Sequence, residues 1–205
     1  MGKKNMRGFY FVTDPTMSKE NIFKDLLHAL DAHVLFVQYR RKDLSKKEMK
    51  QELVIIKQLC LGRAHLIIDD SVDLAFEINC DGVHLGKHDM AISTARRILG
   101  QRYTIGATVQ SVEEAINAKE SGADYLGVSP IYQSDNNSAD IIPLGVGLIK
   151  RIKKEVDLPI VASGGITLDN AKSVIEAGAN CLSAISALSG KKNLCFEITK
   201  FQMLF

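Results

Sequence analysis

Apolar residues in this chain gather in short runs, separated by longer stretches where they recur every three or four positions. The short runs predict eight strands, at 9–13, 34–39, 66–68, 82–85, 104–107, 125–128, 160–162 and 181–185. The stretches between them predict helices. Ser18 is placed to cap one that runs to about Ala32 and carries Ile22, Leu26, Leu27 and Leu30 on one side. Ser45 with Glu48 predicts a capping box for a helix to about Leu61, and Ser111 with Glu114 a second box further on.

Two segments repeat one design. ESGADYL (120–126) and EAGANCL (176–182) each read as a helix end, a glycine and a new strand. Gly122 and Gly178 suit the left-handed position that ends a helix and turns the chain back. Strands that are apolar almost throughout argue for a parallel sheet covered by helices on both faces. Eight β–α units close most economically into a barrel, so the expected class is α/β, a single (β/α)₈ TIM barrel domain over residues 1–205. An open doubly wound sheet would want a glycine-rich loop after its first strand, and here that loop reads Thr13-Asp14-Pro15-Thr16-Met17.

Composition narrows the function classes. With 46% hydrophobic residues in 205, the chain can bury one sizeable core. Lys+Arg 26 against Asp+Glu 24 leaves a net charge of +2, which does not suggest a nucleic-acid partner. The basic stretch Lys46, Lys47, Lys50 alternates with Met49 and Leu53 at helical spacing and reads as a solvated helix face. Cys60, Cys80, Cys181 and Cys195 form no CxxC pair and sit in apolar contexts, so a reducing cytoplasm is expected and a zinc site is not. No run is long enough for a membrane span, and MGKKNMRG lacks a secretory apolar region. The oligomeric state is left open, a homo-oligomer included.

The chemistry lies at three strand ends. VLFVQYRRK (34–42), HLIIDD (65–70) and VHLGKHD (83–89) each finish in charged groups. Side by side and parallel, these strands bring Arg40, Lys42, Asp70 and Asp89 to one rim. Two carboxylates with an arginine and a lysine are the parts needed for a Mg²⁺-bound pyrophosphate, because a hard cation shares carboxylate and phosphate oxygens. Gly164-Gly165 after the seventh strand and Ile185-Ser186 after the eighth fall where barrels commonly hold a phosphate on backbone N–H groups. Two anion sites at one mouth predict two phosphorylated small molecules being joined. Of the histidines, His28, His33, His65 and His84 read as structural, and only His88 neighbours the charged loop.

VQYRRKD (37–43), IDDSVDLA (68–75), DGVHLGKHDM (81–90), SGADYLGVSPIY (121–132), PLGVGLI (143–149), IVASGGIT (160–167) and AISAL (184–188) together resemble the thiamine phosphate synthase family over nearly the full length. The resemblance implies joining the pyrophosphate ester of a hydroxymethyl-aminopyrimidine to a thiazole phosphate, or its carboxylated form, with release of pyrophosphate. It implies that Gln38, Arg40, Lys42, Asp69, Thr108 and Asn137 contact the pyrimidine pyrophosphate. Arg40, Lys42 and Thr108 would be the catalytic groups, and Asp70 and Asp89 would coordinate Mg²⁺. Ser134, Asn136, Gly165, Ile185 and Ser186 would bind the thiazole phosphate. Asp69 stands where the family commonly has Asn, and Thr108 replaces a usual Ser.

One departure is larger. The family places a lysine in the loop after the sixth strand, whereas this loop reads Ser134-Asp135-Asn136-Asn137. No Lys or Arg occurs between Lys119 and Lys150, and Lys87, in place of a usual Gln, is the candidate substitute. Two other readings stay open: a thiazole tautomerase-like paralogue, and a catalytically silent phosphate-binding barrel. Retention of Asp70 and Asp89 argues against the tautomerase, and loss of the loop lysine argues for it.

Overall fold

Eight parallel strands close on themselves in sequence order, β1 pairing with β8 as well as with β2. The computed structural model describes residues 6–15, 21–133 and 142–205. The strands are β1 (Gly8–Val12), β2 (Phe36–Tyr39), β3 (His65–Asp69), β4 (Gly82–Leu85), β5 (Thr104–Val109), β6 (Tyr125–Val128), β7 (Ile160–Ser163) and β8 (Cys181–Ser183). The helices between them are α1 (Ile22–Asp31), α2 (Lys46–Cys60), α3 (Val72–Ile78), α4 (Ile92–Leu99), α5 (Val112–Glu120), α6 (Gly145–Glu155) and α7 (Leu168–Glu176). A short α8 (Ile185–Leu188) and a longer α9 (Leu194–Gln202) follow β8. Among the described residues no helix is long and apolar enough to cross a membrane.

Strand alternation sorts the side chains into two layers. Phe9 and Phe11, Val37 and Tyr39, Leu66 and Ile68, Val83 and Leu85 face the helices and join the main apolar core. The intervening residues point into the barrel, where Met6, Tyr10, Phe36, Tyr125, Val161 and Cys181 form a second, smaller cluster. Above that cluster the same inward parity supplies Gln38, Asp69, His84 and Thr108. The registers Asp69↔His84 and Thr108↔Gly127 place these groups near the strands' C-terminal ends. The inside of the barrel is therefore apolar below and polar at the mouth.

The helix ends bear out part of the capping prediction and correct part of it. Ser45 and Glu48 form the expected reciprocal box. At α5, Ser111 accepts the amide of Glu114 at 3.0 Å, but the Glu114 carboxylate reaches one residue further and accepts from Gln110 N at 2.7 Å. Asn21 caps α1 by accepting from Lys24 N, and Ser18 lies outside the described residues. Strand β8 ends at Ser183, two residues earlier than expected, because Ile185 already starts α8.

The repeated glycines hold the conformation expected of them, Gly122 at φ 98° and Gly178 at φ 111°. Beyond each, the repeat has a further purpose. Asp124 accepts from Ile105 N at 2.8 Å, and Asn180 accepts from Ile160 N at 3.0 Å. Asp81 does the same for Leu66 N at 2.8 Å. Each polar side chain before an even-numbered strand thus ties down the start of its odd-numbered neighbour. The cysteines pack as small apolar groups: Cys60, Cys80 and Cys181 are buried thiols, each pushed up to about 12 by that burial.

Candidate active site

A cavity of about 660 Å³ opens at the C-terminal ends of the strands. Gln38, Arg40, Asp69 and Thr108 line one part of it, and Gly164, Gly165, Ile185 and Ser186 another. Lys42, Asp70 and Asp89 are not in its lining, and Ser134, Asn136 and Asn137 lie outside the described residues.

The charged side is built from β1, β2 and β3. Thr13 at the end of β1 receives the Arg40 amide on its hydroxyl at 2.9 Å, which fixes how the chain leaves β2. Arg40 then points over the mouth, 3.2 Å from Asp14 and 3.8 Å from Asp69. Its neighbour Arg41 turns the other way, toward Asp43 and Glu52 on the helix layer, and takes no part in the cavity. Lys42 reaches Asp70 at 3.6 Å and is 66% exposed, so this cation can be drawn onto a ligand at small cost.

The adjacent carboxylates at the end of β3 do different jobs. Asp69, inward by strand parity, accepts from Gln38 Nε2. Burial, with Asp70 next to it, pushes its carboxyl up to about 7 against the pull of Arg40 and Lys42. Asp70 lies one residue past the strand with φ 62°, a conformation uncommon outside glycine and often found where geometry serves a site. Its amide still donates to His84 O at 2.9 Å, which holds the turn in place. Burial and the Asp89 carboxylate raise the Asp70 carboxyl, and Lys42 lowers it. Asp89 is anchored from below by Gly86 N at 2.6 Å.

Two facing carboxylates are a partial metal site. Among the described residues no group of three or more His, Cys, Asp or Glu side chains could hold a metal ion unaided. That donor set fits Mg²⁺, which commonly keeps waters and takes one or two carboxylates together with substrate phosphate oxygens. It does not fit a closed structural zinc site.

On the opposite wall the groups are backbone and hydroxyl. Gly165 has φ 64°, and a Cβ there would lie 2.7 Å from Tyr132 O. Gly164 has φ 88°, and its Cβ would lie 2.6 Å from Pro130 Cβ. Both glycines are therefore required by the chain after β6 as well as by anything bound above them. Asn170 Nδ2 donates to Gly165 O at 2.9 Å and steadies the turn. Ser163 and Ser183, paired across β7 and β8, add hydroxyls beside Ile185 and Ser186 in the first turn of α8.

Several lining residues were not singled out from the sequence: Tyr10, Asp14, Tyr125 and, above all, His84. His84 was read as structural, yet it faces the cavity and bonds Thr108 Oγ1 and Tyr125 Oη, each at 2.9 Å. Burial pushes its ring down to about 4, so it is a neutral imidazole near neutral pH and a weak base. His84 has the inward parity of β4, two residues after Gly82, a phase that becomes visible only once the strand's inner face is known. His88 and Lys87 are exposed. Lys87 pairs with Glu114 of α5 at 3.4 Å and is outside the cavity lining, so the charge expected from it is directed elsewhere.

Comparison with known proteins gives a consistent result. A family model described as thiamine monophosphate synthase matches residues 9–188. The thiamine-phosphate synthase of Methanosarcina barkeri is 42% identical over 180 residues, covering 88% of this chain and 82% of that protein. That of Methanosarcina mazei is 42% identical over 193 residues, covering 94% and 80%. Among solved structures, thiamine phosphate pyrophosphorylase from Pyrococcus furiosus superposes with a TM-score of 0.87 at 31% identity, covering 99% of this chain and 97% of that one.

Proposed function

The chain belongs to the thiamine monophosphate synthase family and its function is thiamine phosphate synthesis; from that premise we propose how the cavity divides the work. The aminopyrimidine pyrophosphate lies against Gln38, Asp69 and Thr108, with its pyrophosphate toward Arg40, Lys42, Asp70 and Asp89. The thiazole phosphate lies across the mouth on Gly165, Ile185 and Ser186, where helix-start N–H groups suit an anion. The single observation that carries this reading is that one cavity is lined at once by an acid–base charged edge and a glycine and serine edge.

The reaction is an alkyl transfer. The methylene carbon–oxygen bond breaks, pyrophosphate leaves with the electron pair, and the amino group on the ring shares the positive charge left behind. The thiazole nitrogen lone pair then forms the new carbon–nitrogen bond. Arg40 and Lys42 attract the departing charge, and the fixed cavity holds the two partners in line, which by itself lowers the barrier. Asp70 and Asp89 would hold Mg²⁺, which would neutralise part of the pyrophosphate charge. The Thr108–His84 pair resembles a nucleophile with its base, but a ring held neutral down to about pH 4 is poorly suited to removing a proton. The route asks for none.

All four cysteines are free thiols, which supports placing the protein in the cytoplasm. The test supplies the full-length protein first with thiazole phosphate alone, then with both substrates and Mg²⁺. Thiamine phosphate in the second reaction, and no isomerised thiazole phosphate in the first, is the expected result. Isomerisation without condensation would instead make the protein a tautomerase.

A further inference from the structure

A single hydrogen-bonded chain runs across the barrel through residues that line the cavity. Thr108 Oγ1 meets His84 Nε2 at 2.9 Å, and His84 Nδ1 meets Tyr125 Oη at 2.9 Å. Tyr125 Oη meets Tyr10 Oη at 2.8 Å, Tyr10 meets Gln38 Oε1 at 2.9 Å, and Gln38 Nε2 ends on Asp69. Tyr10 and Tyr125 are fully buried and His84 nearly so. The neighbouring strands make room for the chain. A Cβ on Gly106 would lie 2.5 Å from His84 Nδ1 and overlap the Tyr125 ring, and one on Gly127 would lie 2.8 Å from His84 Cε1.

The donors in this chain all run one way. Gln38 Nε2 lies on Asp69 and Gln38 Oε1 on Tyr10 Oη, so that oxygen must accept. Tyr10 spends its only proton there and must accept from Tyr125. Tyr125 spends its proton on Tyr10 and must accept from His84. His84, neutral by burial, therefore carries its proton on Nδ1 and has a bare Nε2. Thr108 has to donate to that nitrogen, and only its lone pairs are left for the cavity.

We infer that Tyr10, Tyr125 and His84 are positioning residues that lock the Thr108 hydroxyl as a hydrogen-bond acceptor, so that the cavity selects a ring offering an N–H there over one offering a lone pair. On the synthase reading, which this inference deepens, the favoured ring is the aminopyrimidine and the rejected one its deaminated, oxo counterpart. A site that can only accept leaves an opposing lone pair unsatisfied, which is how such sites discriminate. A chain that merely satisfied buried groups would not need a fixed direction.

The test reads the ring protons of His84 directly, by ¹⁵N NMR of the full-length protein near neutral pH, with the signals assigned by their loss in His84→Gln. The expected state is a proton on Nδ1 and none on Nε2, moving to Nε2 in Tyr125→Phe. In parallel, calorimetry compares the aminopyrimidine pyrophosphate with its oxo analogue. The native protein should favour the amino form by at least about tenfold. Tyr125→Phe and Tyr10→Phe should each lose most of that preference while binding inorganic pyrophosphate as before. An Nε2–H or doubly protonated His84 in the native protein, or an unchanged preference in both variants, would overturn the inference. Failure to form thiamine phosphate would overturn the synthase reading alone, because the ring-proton result does not depend on turnover.

Discussion

His84 shows how much a single buried side chain can decide. In the unfolded chain its ring takes up a proton near pH 6.5, and in the folded barrel burial delays that to about 4. Its contribution to stability is therefore complete above about pH 6.5 and is lost as pH falls toward 4, the unfolded state binding the proton first. The gap corresponds to on the order of 3 kcal/mol. Denaturant titrations should show the native protein losing stability across that window and His84→Gln, although less stable at pH 7, losing distinctly less. Parallel pH curves for the two proteins would contradict this assignment. That Arg40 and Lys42 would meet carboxylates at neighbouring strand ends could be read from the sequence, because three apolar runs each finish in charged groups. His84 and Tyr125 could not be read so easily, since a histidine or tyrosine in an apolar run looks alike whether it faces the cavity or the helices.

Between elements, polar side chains act as bolts that no apolar pattern announces. Arg96 on α4 donates to Gly100 O, Tyr103 O and Gly122 O, each through a bond of 2.8 Å, and pairs with Asp124 at 2.5 Å. This side chain, only 12% exposed, joins α4 to the approaches of β5 and β6. Arg96→Ala should cost about 3 kcal/mol, because it leaves Asp124 and three carbonyls short of a partner. Thermal or denaturant unfolding checks this, and a loss below about 0.5 kcal/mol would place the strength elsewhere. Gly165 shows the same overlap of structure and site. With φ 64° and backbone packed against it, Gly165→Val should force the turn after β7 to move. Thiazole phosphate affinity should fall by at least about tenfold while pyrimidine pyrophosphate affinity holds. The strands, the capping box at Ser45 and the turns at Gly122 and Gly178 were legible because each rests on local rules. The bolts at Asp81, Asp124 and Asn180 were not, because their partners are distant in sequence.

At the scale of the whole molecule, closure of β1 onto β8 brings the charged edge and the glycine and serine edge, far apart in the chain, to one mouth. The alternation of strands and helices made the barrel legible, and with it the side on which chemistry should lie. Charge balance across the mouth is less complete: the loop after β6 carries no cation, and Lys87 is engaged with Glu114. Asn137→Lys should therefore raise turnover, whereas Lys87→Gln should leave it nearly unchanged. Steady-state kinetics on both variants checks the pair, and a damaging Lys87→Gln would show that Lys87 leaves Glu114 to serve the ligand.

On the proposed reading condensation occurs at this mouth, with the leaving pyrophosphate drawn to Arg40, Lys42 and the Mg²⁺ that Asp70 and Asp89 would hold. That reading is tested most directly by measuring thiamine phosphate and pyrophosphate together, with both substrates saturating. The native protein should release one pyrophosphate per thiamine phosphate in Mg²⁺ and stop in excess chelator. Asp70→Asn and Asp89→Asn should each be slower by on the order of a hundredfold. Full turnover in chelator, or by the variant lacking both carboxylates, would show that neither carboxylate serves the leaving group.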